Sequence, residues 1–364
     1  MRVLVVNAGS SSLKLRTLGD AVEPIASADL PVEGGEIDGA AVRARLSEMP
    51  TPEAVGHRIV HGGERFTGPV KLDAEVEAAL RELTDLAPLH QPKSLAALDA
   101  VSAVLPDIPA VACFDTAFHG TLPDAASTYA LPSSWRERFG LRRFGFHGLS
   151  HAYASGRAEE LLGRADLRVV TCHLGAGASL AAVRNRRSVD TTMGFTPLEG
   201  LVMATRSGSV DPGLLLWLLA RKAMTEPEMA AALENEAGLA GLAGTADMRE
   251  VLAGADAGEP EARLALDVYV HRLRTSIGAM AAALGGLDAL VFTGGVGERA
   301  AAVRDLACEG LGFLGVRLDP DRNAETSGDA VVGAPGAAAA VLVVEAREDL
   351  EIAAEVRHIL DEAA

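Results

Sequence analysis

Apolar and polar positions along this chain follow a pattern that occurs twice. Near the start, Arg2-Val-Leu-Val-Val-Asn7 is a short β-branched run. It breaks at the polar stretch Asn-Ala-Gly-Ser-Ser-Ser and resumes as Leu13-Lys-Leu-Arg-Thr17, which predicts a strand, a tight turn and a second strand. Far downstream, Leu167-Arg-Val-Val-Thr-Cys-His173 is followed by Leu-Gly-Ala-Gly-Ala-Ser and then by Leu180-Ala-Ala-Val183, with Gly9 and Gly175 in matching places. The copies are too divergent and too far apart for a solenoid, so the pattern predicts duplication of a whole domain, with two related lobes. Helical spacing runs over Asp73 to Leu86, Ser94 to Val104, Glu261 to Leu284 and from about Asp349 to Glu362. Between these lie the buried-strand patterns Val111 to Phe114, Ala289 to Thr293 and Val341 to Val344, the second ending in a Gly294-Gly295-Val296-Gly297 turn. Strands alternating with helices predict an α/β architecture.

Composition narrows the possible partners. The 364 residues and 49% hydrophobic content suffice for two cores. Lys and Arg total 33 against 50 Asp and Glu, a formal net charge of -17, so the overall field repels nucleic acid and anionic membranes. An anionic substrate must therefore be drawn in by a few local arginines. Cys113, Cys172 and Cys308 are scattered and odd in number, giving neither a disulfide framework nor a metal motif. The first residues run straight into a strand pattern rather than a signal peptide, and the longest apolar runs, Leu214 to Ala220 and Ala337 to Val344, are too short for a membrane span. A cytoplasmic protein with no membrane and no nucleic-acid partner is expected. Trp135, Trp217 and the scattered Phe residues are expected in the core.

Three glycine-rich turns can approach a phosphate: Asn7 to Lys14, which adds serine hydroxyls and a lysine, then Gly175-Ala-Gly, then Gly294 to Gly297. None is a P-loop, since GxxxxGK[ST] is absent. Two histidine pairs, His57 with His61 and His147 with His151, have i, i+4 spacing. They lack the Glu of HExxH and are interrupted by a β-branched pair or a glycine, which disfavours a zinc hydrolase.

Longer words decide more. In order along the chain stand Gly-His57-Arg58-Ile-Val-His61-Gly-Gly-Glu64, Leu86-Ala-Pro-Leu-His90, Phe114-Asp115-Thr-Ala-Phe118-His119, Phe144-Gly-Phe146-His147-Gly, and Thr196-Pro-Leu-Glu-Gly-Leu-Val-Met203 with Thr205-Arg206-Ser-Gly. From end to end this resembles the acetate and propionate kinase family. The resemblance implies duplicated actin-like, ribonuclease-H-like domains, as in sugar kinases, Hsp70 and actin, flanking a nucleotide cleft. It places an N-terminal, acyl-substrate lobe at 1–119 plus 349–364 and a C-terminal lobe for nucleotide binding and dimerisation at 120–348.

The activity it implies is reversible phosphorylation of acetate by ATP, with direct in-line transfer to the carboxylate, acetyl phosphate as product, and a homodimer as the working form. Position by position, it implies that Asn7 and Glu348 hold Mg²⁺, or Mn²⁺ in its place, and that Ser10, Ser12 and Lys14 lie near the phosphates. Arg58 and Arg206 bracket the carboxylate and the transferring group, and His147 stabilises the transition state. Asp115 is the family's catalytic aspartate. A carboxylic acid substrate is already ionised at neutral pH, however, so Asp115 is read as orienting an arginine or the metal's water shell rather than as a base. ATP or ADP is expected on His173, Leu174, Gly175, Ala176 and Gly177, on Asp247, Met248 and Arg249, and on Gly295, Val296, Gly297, Glu298 and Arg299. Val60, Leu89, Phe146 and Pro197 match the apolar pocket for the acyl tail. Such a pocket separates one methylene by only about 1–3 kcal/mol, so propionate is an alternative substrate.

Five departures border this set: Ala176 stands where the family has Asn, Leu149 where it has Thr, Gln91 and Ser94 where it has two Asn, and Arg299 where Asn is common. Loss of the amide at 176 predicts weaker nucleotide binding. A non-catalytic nucleotide sensor on the same fold is the remaining alternative, and the simultaneous presence of Asn7, Arg58, Asp115, His147, Arg206 and Glu348 argues against it.

Overall fold

A computed structural model of the chain describes residues 1–9, 12–32, 37–87 and 91–362. Two compact units emerge: Met1–Gly120 with Phe146–Tyr153 and Arg347–Ala364, and Thr121–Gly145 with Ala154–Ala346. Phe146, His147 and Glu348 thus fall in the first unit.

The first unit contains β1 (Val3–Ala8), β2 (Ser12–Leu18), β3 (Pro24–Pro31), β4 (Ala54–Ile59), β5 (Val70–Lys71) and β6 (Ala110–Phe114), which form one sheet in the order β3-β2-β1-β4-β6-β5. The second contains β7 (Arg168–Leu174), β8 (Ala178–Arg184), β9 (Arg187–Thr191), β10 (Ala289–Thr293), β11 (Ala330–Val331) and β12 (Ala340–Val343), in the order β11-β12-β10-β7-β8-β9. Read from the other edge, the two orders are the same. In each sheet the first three strands are antiparallel neighbours. The first, fourth and sixth run parallel, and the short fifth pairs antiparallel at the edge. The duplication expected from the two hairpins is therefore present in the topology.

The hydrophobic pattern explains which strands are central. β1, β7, β10 and β12 are nearly unbroken apolar runs because both faces are covered, as parallel strands require. β3 alternates half-buried and exposed residues, as befits an antiparallel outer strand with one wet face. Around the first sheet, Val3, Val5, Ala54, Val111 and Cys113 pack against Ile352 and Val356 of the helix Glu348–Glu362, while Leu4, Val6, Leu15 and Val55 pack with Ala97 and Val101 of the helix Gln91–Ser102. At Gly56 a Cβ would lie 2.5 Å from an Ile352 methyl, so only glycine lets the C-terminal helix lie this close to β4. In the second unit the 25-residue helix Pro260–Leu284 begins with Pro in its first turn and ends at Gly285 with φ 69°, the expected start and stop chemistry.

Most predicted elements form within a few residues of their expected limits. Two expectations fail. Gly294 to Gly297 is the start of a short helix, Gly294–Arg299, rather than a turn. Trp135 and Trp217 are 54% and 52% exposed, and Phe139 and Phe313 are also exposed, so they are not core. Trp217 sits on the helix Pro212–Ala220, none of whose residues is buried, and its ring stacks on the Arg221 guanidinium at 4.3 Å. A continuous apolar run gives a helix no preferred inner face, so residue type alone does not determine which side is covered.

Candidate active site

In open α/β sheets, ligand sites gather beyond the carboxyl ends of the parallel strands. In the first unit those ends carry Asn7 on β1, Arg58 on β4 and Asp115 just after β6. The register pairs Val6 with His57 and Arg58 with Cys113, so the three side chains emerge side by side on the face covered by the helix Glu348–Glu362. The helix contributes Glu348 from its first residue.

These four residues form one lattice. Arg58 donates from Nε and Nη2 to the two carboxylate oxygens of Asp115, at 2.9 and 2.6 Å, and from Nη1 to Asn7 Oδ1 at 2.9 Å. Asn7 Nδ2 in turn donates to Glu348 Oε2 at 2.9 Å. Asp115 is 1% exposed. Burial pushes its carboxyl up, against the pull of Arg58. Burial alone would lower the Arg58 pKa, but attraction from Asp115 and Glu348 outweighs it and raises the value, so the Arg58 guanidinium is held charged. A carboxylate locked in this fork has both oxygens engaged by the guanidinium and so fixes its direction.

Hard oxygen donors at Asn7 and Glu348 suit a divalent cation that keeps part of its water shell. No cluster of three or more His, Cys, Asp or Glu side chains able to hold a metal occurs among the described residues. Lys14 is exposed and lies directly across the ladder from Asn7, on the same face, with Ser12 at the start of β2. Ser10 lies outside the described residues, as does Leu89.

His147 has φ 57°, an uncommon conformation for a side-chain-bearing residue, and its carbonyl accepts from His151 at the start of the helix Gly148–Leu162. The next residue explains the bend: Gly148 N donates to the Asp115 carbonyl at 2.8 Å, and a Cβ there would lie 2.2 Å from that oxygen. The backbone of Asp115 thus fixes where His147 leaves the chain. Phe146 is buried edge-on against His61, 5.5 Å between ring centres, and Val60 is buried beside them in sequence. His57 and His61 do not share a helix, since His57 is on β4. Burial pushes both down to about 4, so they are neutral.

In the second unit, Arg206 donates from Nη1 to the Pro197 carbonyl at 2.7 Å. Its segment also touches the β7–β8 turn, where Ala204 N donates to the Ala176 carbonyl at 3.1 Å. That turn runs through His173, Leu174, Gly175, Ala176 and Gly177. The segment Gly295, Val296, Gly297, Glu298 and Arg299 adjoins it, since a Cβ on Gly294 would meet the Leu174 carbonyl at 2.8 Å. Asp247 caps the helix Met248–Asp256 and pairs with the exposed Arg249, while Met248 is buried.

One participant is visible only in the fold. Arg304 is 1% exposed and grips the carbonyls of Gly297 and Glu298 at 2.9 and 2.8 Å, with Asn323 accepting its Nε at 2.7 Å. An arginine seven residues after the Gly294–Gly297 word was the available signal, but the partners at that word are backbone atoms, which sequence does not distinguish.

The acetokinase family model matches residues 35–354. An acetate kinase from Trichormus variabilis is 42% identical over 99% of this chain and 100% of its own length. Among solved structures, acetate kinase from Porphyromonas gingivalis superposes with TM-score 0.90 at 36% identity, covering 99% of both chains. A propionate kinase from Francisella tularensis gives 0.91 at 32%, covering 98% of this chain and 99% of its own. The match to the family model, the identity to these relatives and the shared duplicated topology together establish that this chain belongs to the acetokinase family.

Proposed function

We propose that this chain transfers the terminal phosphoryl group of ATP reversibly to acetate, giving acetyl phosphate and ADP. The observation that carries the reading is the lattice of Arg58, Asp115, Asn7 and Glu348 at the strand ends, in a chain of this family.

In this reading an acetate oxygen attacks the γ-phosphorus in line as the bond to the ADP oxygen breaks. The charge on the equatorial oxygens is met by donors already in place. Arg58, aimed by Asp115, and Arg206, aimed by the Pro197 carbonyl, are the two guanidinium groups assigned to the carboxylate and the transferring group. His147 supplies a further donor. Asp115 acts through Arg58, since the substrate carries its negative charge beforehand. Asn7 and Glu348 would hold Mg²⁺, or Mn²⁺, which would supply positive charge to the nucleotide phosphates. Ser10, Ser12 and Lys14, with the segments 173–177, 247–249 and 295–299, are assigned to the nucleotide.

Val60, Phe146 and Pro197, with Leu89, are assigned to the acyl tail. The likeness to a propionate kinase supports propionate as a second substrate. No helix among the described residues is long and apolar enough to cross a membrane, and a cytoplasmic location fits the family's reaction. Exposed Leu214, Leu216 and Trp217 support a homodimer formed through the second unit.

The test is purified protein with ATP, Mg²⁺ and acetate, propionate or butyrate, trapping acyl phosphate as its hydroxamate. Acetate is expected to give the highest kcat/KM. No product from any of the three acids would overturn the reading.

A further inference from the structure

Arg206 is aimed by a carbonyl, so whatever fixes that carbonyl also fixes the guanidinium. Pro197 lies in the turn between Phe195 and Glu199, and that turn is bound to side chains from an earlier part of the unit. The Tyr129 hydroxyl donates to Glu199 Oε2 at 2.6 Å and accepts from Phe195 N at 2.9 Å, so one oxygen grips both ends of the turn. Glu199 Oε1 accepts from Arg143 Nη2 at 2.9 Å. Arg143 Nη1 also reaches the carbonyls of Thr192 and Met193, at 3.2 and 2.9 Å, just before the turn. Its guanidinium lies 5.4 Å from the centre of the Tyr129 ring.

The packing here leaves no slack. At Gly194 a Cβ would clash with both Glu199 Oε2 and the Tyr129 oxygen. Burial, helped by the bond to Glu199, pushes the Tyr129 hydroxyl up to about 12, so it remains a donor at neutral pH. Glu199 is partly exposed, as a strut at the rim of the turn rather than a core residue.

We propose that Tyr129 and Glu199, braced by Arg143, are positioning residues that hold the Phe195–Glu199 turn and thereby set the direction of the Arg206 guanidinium during phosphoryl transfer. The inference rests on the acyl-kinase reading above and deepens it. None of the three residues need touch substrate. Their effect passes through the Pro197 carbonyl, and a small displacement of a transition-state donor is enough to slow the reaction severely.

The experiment uses Tyr129→Phe, which removes one oxygen and keeps the ring, with Glu199→Gln as a second variant that keeps an acceptor for Tyr129 but loses the charge facing Arg143. Hydroxamate assays would give kcat and both KM values, and thermal melts would report on folding. Tyr129→Phe is expected to lower kcat by roughly 10- to 100-fold. Its KM for ATP is expected to stay within about twofold, with little change in Tm. Glu199→Gln is expected to fall between wild type and Tyr129→Phe.

A purely structural role would not predict the decisive readout. In an Arg206→Lys background, adding Tyr129→Phe should cost little more, because the group it aims is gone. Full kcat in Tyr129→Phe, or the same fold-loss in both backgrounds, would overturn the positioning role alone. A wild-type protein that makes no acyl phosphate would overturn the functional reading and this inference together.

Discussion

The two sheets share one strand order but have different chemistry at their strand ends. In the first, Asn7 faces Lys14 across the hairpin and Arg58 follows in register on the neighbouring strand. At the matching places in the second, His173 faces Ser179 and pairs with Thr293. The first sheet ends in a buried lattice of charge. The second ends in glycine-rich backbone, the turn after β7 and the short helix after β10. A duplicated scaffold has been given side-chain charges in one copy and close backbone approach in the other. The charged copy is tied to its own folding, because Arg58 and Asp115 neutralise each other when buried. In the second unit, Arg206 meets a neutral carbonyl, with no salt bridge to it among the described residues.

The sharpest way to break this contrast is to remove one arginine from each copy. Arg58→Ala and Arg206→Ala should each lower kcat by ~10³-fold or more. Only Arg58→Ala should also destabilise the fold, by about 3–5 kcal/mol, since it strands a buried carboxylate. Denaturant melts separate the two, and equal stability losses would contradict the contrast.

Next in size is a pH effect confined to the first copy. Glu355, on the C-terminal helix, is pushed by burial up to about 7. A carboxyl raised in the folded state destabilises it once ionised, so the penalty is absent below about pH 4.5, grows through about pH 7 and is complete above it. Glu355→Gln should therefore stabilise the protein by about 2–3 kcal/mol at pH 8 and hardly at all at pH 4. A pH-independent gain would show that Glu355 is not the titrating group.

Asp115→Asn tests whether the lattice aims a guanidinium or supplies a base. It should lower kcat by ~10²-fold while leaving the acid limb of the pH–rate profile in place. Loss of that limb would restore the base. The smallest effect belongs to the backbone-lined copy: Ala176→Asn adds one amide to the β7–β8 turn and should lower the KM for ATP by about 3- to 5-fold, the worth of about one hydrogen bond. An unchanged KM would place that turn away from the phosphates.

Much of this was legible in the order of residues. β-branched runs ending in glycine-rich turns identified β1, β2, β7 and β8, and their repetition identified the duplication, because strand patterning and turn chemistry are local. The residues at the first site are named by the family resemblance rather than by local patterning; the fold sets Asn7 and Arg58 near the ends of β1 and β4 and Asp115 just after β6, where an α/β sheet presents its ligands. Trp135 and Trp217 are exposed although their residue type favours burial, because exposure depends on which helix face the rest of the fold covers. Gly294 to Gly297 looked like a turn because glycine disfavours helix, and Arg304 gripping the Gly297 and Glu298 carbonyls is the compensating contact supplied by the fold.

The sequence by itself determined the two hairpins, the main helices, the duplication and the excess of negative charge, which follow from local preference and residue type, while the residues for phosphoryl chemistry were assigned through the family resemblance. Only the tertiary structure decided that Asp115 forks onto Arg58, that Asn7 bridges Arg58 to Glu348 across more than three hundred residues of chain, and that Tyr129 and Arg143 hold the turn that aims Arg206. Those contacts depend on strand register and on side chains meeting across distant segments, and neither is encoded at any one position of the chain.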